Sequence, residues 1–245
     1  MVIAPTFGKG LDQGLEDDMA FWVRVTGMAM IAALGACKPA PQTVPAKQEM
    51  AAPKGPVVRI VALGDSLLAG YGLSPAEAYP ARLQEALRAR GLNAQVVNAG
   101  VSGDTTADGL ARLDFTLGGQ SVAPDLVILS LGGNDMLRGL PLAQTRDNLD
   151  AILARLTQKK IKVVVMGMLA APNMGPDYAA QFNAIFPSLA KKHGAVLEPF
   201  FLRAIFGHAE LQLPDHIHPT AKGVDAMVAA TVDKVAGALP QVEPN

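Results

Sequence analysis

The sequence predicts an α/β fold: a parallel sheet with helices on both faces. Three observations predict it. Short, nearly continuous apolar runs rich in β-branched residues recur along the chain, as expected of strands buried on both faces. Amphipathic stretches, with apolar residues three and four apart, lie between those runs. The two kinds of segment alternate, which makes the strands parallel and the helices their crossovers.

The first run, 57–63, reads Val-Val-Arg-Ile-Val-Ala-Leu. Similar runs stand at 95–98, 125–131 and 161–168, with a weaker one at 195–197. Residues 81–90 place Leu83, Ala86 and Leu87 on one helix face, and 142–159 do the same with Leu149, Ile152, Leu153 and Leu156. Helical stretches at 177–192 and 221–239 complete the set. With neither an internal repeat nor a second boundary, 57–245 reads as one domain. Of the 245 residues, 50% are hydrophobic and 18% charged, so the chain can bury a core. A formal net charge of −1 excludes nucleic-acid binding by bulk charge. The one cysteine, Cys37, excludes an intramolecular disulfide and a Cys-ligated cluster.

The amino-terminal segment follows another logic. The apolar run 25–36 is shorter than the ~20 residues of a membrane span and suits a signal peptide. It ends in Leu34-Gly35-Ala36-Cys37, which resembles a bacterial lipobox. That resemblance implies that 1–37 is a signal peptide with lipobox and that Cys37 receives the lipid and becomes the new amino terminus. Residues 1–18 set Lys9 against Asp12, Glu16, Asp17 and Asp18, whereas a signal peptide starts positively charged; translation from Met19, with Arg24 near the front, removes the conflict. Residues 38–56, rich in Pro, Ala, Lys and Gln, read as a tether. The expected protein is a monomer held at a membrane through lipidated Cys37, in the cell envelope and facing the periplasm. Lys38 stands where lipoproteins retained at an inner membrane usually carry Asp, which favours the outer membrane.

In open parallel sheets, ligands bind beyond the carboxyl ends of the strands. Four polar clusters fall there: Gly64-Asp65-Ser66-Leu67, Asn98-Ala99-Gly100-Val101-Ser102-Gly103-Asp104, Gly132-Gly133-Asn134-Asp135, and Asp215-His216-Ile217-His218-Pro219 before the last helix. Together they offer a nucleophile, amide donors, a base and a carboxylate. A serine hydroxyl needs a base to take its proton as it attacks. Imidazole exchanges a proton near neutral pH, and a carboxylate on its other nitrogen fixes the tautomer. Ser66 is the nucleophile of this scheme and Asp215 the orienting carboxylate; His216 and His218 compete as base. Ser66 lies outside Gly-x-Ser-x-Gly, and neither a phosphate-binding loop nor Gly-x-Gly-x-x-Gly is present. Asp65 and Asp135 read as loop-bracing, and His193 and His208 as surface residues. No metal or cofactor is called for.

These blocks resemble the GDSL, or SGNH, hydrolase family, in its lysophospholipase, arylesterase and acyl-thioesterase branch. Ser66, Gly100, Asn134 and His218 match the four letters, and the likeness runs from about Arg59 to the last helix. The resemblance implies a flavodoxin-like three-layer α/β/α sandwich with a five-stranded parallel sheet. It selects His218 as base through Asp-x-x-His and leaves His216 at the rim. It also implies an oxyanion hole made by the Ser66 and Gly100 N–H groups and the Asn134 side chain. The expected reaction is hydrolysis of a small acyl ester or thioester through an acyl-enzyme on Ser66. The apolar loop Met168-Leu169-Ala170-Ala171-Pro172-Asn173-Met174 suits an acyl-chain groove, with Met168, Leu169, Ala170 and Pro172 as substrate-binding residues. A carbohydrate O-deacetylase and a ligand-binding lipoprotein without catalysis are the alternatives.

Overall fold

The computed structural model describes Pro53 and residues 55–240. The expected signal peptide with lipobox, Met19, Cys37 and nearly all of the 38–56 tether lie outside the described residues. The strands are β1 (Val58–Gly64), β2 (Ala94–Gly100), β3 (Leu126–Ser130), β4 (Lys162–Met166) and β5 (Val196–Glu198), in the order β2-β1-β3-β4-β5. Every pairing is parallel, and the register sets Gly64 beside both Gly100 and Ser130. The carboxyl ends of the strands therefore share one edge of the sheet. All five residues of β3 are buried, which is why that segment is apolar throughout. The outer strands differ: β2 exposes Gln95 and Asn98, and β5 has only three residues, so little unpaired edge is left.

Among the described residues the helices are α1 (Ser66–Ala69), α2 (Tyr79–Ala89), α3 (Thr106–Gly118), α4 (Gly133–Leu137), α5 (Leu142–Gln158), α6 (Pro176–His193) and α7 (Ala221–Ala238). With right-handed crossovers this strand order puts α2 and α7 on one face and α3, α5 and α6 on the other. The core is continuous through the sheet. Tyr79 on α2 is fully buried, meets Thr231 Oγ1 of α7 at 2.7 Å and packs edge-on against Phe201 at 4.9 Å. Burial pushes its phenol far up, so the hydroxyl stays neutral. Across the sheet Phe182 and Phe186 of α6 pack edge-on at 5.4 Å.

The sequence reading assigns no helix between the second and third strands, and the structure places α3 there. Its start is well specified: the Thr105 hydroxyl accepts from Asp108 N–H while the Asp108 carboxylate accepts from Thr105 N–H. Gly109 breaks the helical pattern in the sequence for a packing reason. A Cβ there would lie 2.3 Å from Leu131 Cδ1, so the glycine leaves room for that buried leucine and any larger residue would force it to shift. The polar clusters after β1 and β3 each open a short helix, α1 and α4, that the hydrophobic pattern does not announce.

The helices run back against the strands, so their amino ends point to the edge where the strands end. Acids occupy first turns there: Asp108 on α3, Asp135 on α4 and Asp177 on α6. Bases occupy last turns at the opposite edge: Arg88 on α2, Arg155 on α5, and Lys191 and Lys192 on α6. Each sign complements the helix dipole at its end.

Candidate active site

The first polar cluster bends directly off β1. Asp65 caps α1: its Oδ1 accepts Leu67 N–H at 3.1 Å, and its own N–H bonds to Ser130 O at 3.2 Å. That turn sets Ser66 as the first helical residue, beyond the end of the strand. The Ser66 hydroxyl meets His218 Nε2 at 2.7 Å, and His218 Nδ1 meets Asp215 Oδ2 at 2.7 Å. The structure thus joins Ser66, His218 and Asp215 in one chain of hydrogen bonds across 152 residues of sequence.

Asp215 also shapes the loop that carries it. Its Oδ1 accepts the N–H groups of Ile217 at 2.9 Å and His218 at 3.0 Å, an Asx turn that brings the imidazole back over the carboxylate. Leu213 N–H to His218 O at 2.7 Å and Thr220 N–H to Leu211 O at 2.9 Å close the loop. His216 occupies its tip, exposed and with φ of 58°, and does not reach Ser66. Burial on its own would raise the Asp215 carboxyl. The His218 and Ile217 N–H donors, together with the His218 ring, outweigh that and hold it at about 2. Asp215 therefore stays anionic wherever the imidazole works. Tyr71 covers the imidazole, with ring centroids 4.4 Å apart.

The oxyanion assignment needs one correction. Gly100 is committed elsewhere: its N–H donates to Asn98 Oδ1 at 2.9 Å. It is glycine because a Cβ there would lie 2.3 Å from the Ala69 backbone nitrogen. Among the described residues, the Ser66 and Gly103 N–H groups donate no hydrogen bond. Asn134 Nδ2 donates to Asp104 O at 2.9 Å, which sets Asn134 against the Gly103–Asp104 segment and leaves a second amide N–H to give. The donor set the geometry supports is Ser66, Gly103 and Asn134. Segment 100–103 offers two glycines, the resemblance selects Gly100, and only the Asn98 side chain shows which N–H is committed.

The expected substrate loop divides in the same way. Met168 is 5% exposed and belongs to the core, which corrects its place among groove residues. Leu169 is 44% exposed, Pro172 is exposed, and Ala170 is half-buried with its N–H on Asn183 Oδ1 at 2.8 Å. Apolar groups that sequence reading missed lie on other segments of this edge: Tyr71, Val101, Leu137 and Ile217 are all exposed. Each follows a motif residue closely in sequence, which was the available signal.

The buried acids brace this edge. Asp135 accepts from Thr106 N–H at 2.9 Å, Thr106 Oγ1 at 2.5 Å and Thr145 Oγ1 at 3.2 Å. Asp65 is 2% exposed. Burial raises its carboxyl to about 6, against the Leu67 N–H and the His218 ring, which lower it. Among the described residues no group of three or more His, Cys, Asp or Glu side chains is arranged to hold a metal ion. A cavity of about 560 Å³ opens at the other edge, beside Lys160, Lys162 and His193, apart from Ser66.

Comparison with known proteins places this geometry. The sequence pattern of the GDSL-like Lipase/Acylhydrolase family matches residues 62–226. The chain is 38% identical over 160 residues to Esterase TesA of Pseudomonas aeruginosa, covering 65% of this chain and 79% of that protein. It is 38% identical over 161 residues to an arylesterase of Vibrio mimicus, covering 66% and 80%. The crystal structure of AlinE4, described as an SGNH-hydrolase family esterase, superposes with a TM-score of 0.65 at 52% identity, over 77% of this chain and 100% of that one.

Proposed function

Because the chain belongs to the GDSL-like lipase/acylhydrolase family, we propose that it is a serine ester hydrolase acting through Ser66, His218 and Asp215. The observation that carries the residue roles is the unbroken pair of 2.7 Å contacts from Ser66 Oγ through the imidazole to Asp215. Ser66 Oγ attacks the acyl carbonyl carbon while its proton passes to His218 Nε2. The carbonyl electron pair moves onto oxygen, and the Ser66 and Gly103 N–H groups with the Asn134 amide receive that charge. The tetrahedral intermediate collapses, and the alcohol or thiol leaves with the proton from His218. Water then attacks the acyl-enzyme, giving its proton to His218; the bond from the acyl carbon to Ser66 Oγ breaks, the carboxylic acid leaves, and His218 returns the proton to Oγ. Asp215 keeps the tautomer and stabilises the imidazolium.

The substrate of this reading is a small-molecule ester or thioester with a short-to-medium acyl chain. The exposed Leu169, Val101, Leu137 and Ile217, on segments that follow the strands or carry the His218 loop, support it, since they offer apolar surface to an alkyl group. Each buried methylene is worth ~0.8 kcal/mol, so three give roughly fifty-fold in kcat/KM. The test is a series of p-nitrophenyl esters from acetyl to palmitoyl, with acyl-CoA, lysophospholipid and acetylated xylan alongside. Preference for acyl chains of about four to ten carbons is expected, with longer ones penalised where the groove ends. A strict acetyl preference with xylan as best substrate would overturn the chain-length reading in favour of a deacetylase.

The same proposal places the enzyme in the cell envelope, facing the periplasm and anchored through lipid on Cys37. Its support is the lipobox-like Leu34-Gly35-Ala36-Cys37 after an apolar run. Cys37→Ser is expected to block lipid labelling and maturation. Recovery of unlipidated full-length protein without detergent would sink the anchor.

A further inference from the structure

We infer that Arg112, on α3 and outside the Ser66–His218–Asp215 relay, is the positioning residue that holds the oxyanion donors in register. The inference rests on the ester-hydrolase reading above. Its guanidinium donates from Nε to Asp104 Oδ2 at 2.6 Å and from Nη2 to the Gly64 carbonyl at 2.9 Å. A longer contact, 3.4 Å from Nη1, reaches Thr116 Oγ1 on its own helix. The first two acceptors belong to different donor segments. Gly64 ends β1 just before Asp65 and Ser66, and its carbonyl also accepts Val101 N–H at 2.9 Å. Asp104 follows Gly103, and its own carbonyl accepts the Asn134 amide at 2.9 Å. One guanidinium therefore ties the segment of Ser66 to that of Gly103, and through Asp104 to Asn134.

The chemistry of the fork matters as much as its charge. Two fixed N–H vectors reach two acceptors on separate chain segments, which an ammonium cannot span while keeping both directions. The side chains of Arg112 and Asp104 are 21% and 11% exposed, so water competes little for either bond. Relaxing the fork lets the Gly64 and Asp104 segments drift. Donors that stabilise a developing oxyanion act only when aimed at its position in the transition state. Arg112 touches neither substrate nor reacting atoms, so its loss falls on turnover and spares ground-state binding.

The experiment uses the full chain with three changes: Arg112→Lys, Arg112→Ala and a Ser66→Ala control. Arg112→Ala leaves the buried Asp104 carboxylate unpaired and threatens folding, whereas Arg112→Lys keeps a cation beside it. Steady-state kinetics on p-nitrophenyl butyrate are paired with inhibition by an alkylboronic acid. The boron accepts an electron pair from Ser66 Oγ as the hydroxyl proton passes to His218, and the resulting anionic tetrahedral adduct places an oxygen before the same donors. For Arg112→Lys, kcat is expected to fall roughly 10- to 100-fold with KM within about three-fold, and boronate affinity to weaken by a like factor. Millimolar guanidinium is expected to restore part of the turnover of Arg112→Ala and to leave wild type unchanged. Wild-type kcat in a folded Arg112→Lys overturns the inference. So does a change confined to KM, or a fall in kcat with boronate affinity intact. Activity surviving in Ser66→Ala instead brings down the hydrolase reading itself, so the two failures are distinguishable.

Discussion

At the scale of single residues, the catalytic edge separates groups that do chemistry from groups that brace them. Ser66→Ala and His218→Ala are each expected to abolish turnover of a p-nitrophenyl ester while leaving the melting curve unchanged. The double variant is expected to be little worse than either single one, because the two act as a unit. His216→Ala is expected to keep most activity, since its ring sits at the loop tip; equal damage from both histidines would reassign the base. Asn134→Ala is expected to lower kcat ~10²- to 10³-fold with little change in KM, read from the same assay. How much of this the sequence carried depends on the residue. Ser66, Asn134, Asp215 and His218 each stand in a block whose order and spacing already imply neighbours in space. The backbone donors do not: whether Gly100 or Gly103 keeps a free N–H depends on where the Asn98 side chain goes, a tertiary fact. Met168 was misplaced for a similar cause, because an apolar side chain after a strand can turn into the core as readily as out of it.

At the scale of elements, apolarity and capping tell different parts of the story. The central strands were legible because burial on both faces leaves room only for apolar side chains, as in the wholly buried β3. The edge strand β2 blurred at its ends because exposed Gln95 and Asn98 interrupt the run. Helix α3 was missed because Gly109 and its polar neighbours mask a sound amino-terminal cap. That cap gives a direct test. Thr105→Ala removes the hydroxyl that accepts Asp108 N–H, and the expected loss is about 1 kcal/mol in urea-induced unfolding. Because α3 also carries Arg112, fraying from this end is expected to lower kcat as well, in a variant that touches no donor. Unchanged stability would mean that packing of Leu113 alone holds the helix start.

At the scale of the whole molecule, the buried Asp65 makes folding depend on pH. Its carboxyl is raised from 3.8 to about 6, so between those values the folded chain holds a proton that the unfolded chain has released. The stability it contributes is complete below about pH 4 and is lost as pH rises through about 6. Asp65→Asn keeps an oxygen for the Leu67 N–H and removes the titration. Relative to wild type, the variant is expected to gain stability across that window, up to about 3 kcal/mol above it, as an order of magnitude. Denaturant midpoints at pH 4 and pH 8 measure the difference; an equal offset at both would show that Asp65 does not titrate there.

Among the described residues, the segregation of acidic first turns from basic last turns gives the folded domain two unlike edges. Adsorbed at low ionic strength on a negatively charged support, it would land on the exposed Lys160, Lys162 and Lys191 and turn Ser66 toward the liquid. On a positively charged support it would land on its mouth. An immobilised catalyst made the first way should therefore keep its turnover, and one made the second way should lose it, with the contrast fading as salt is added.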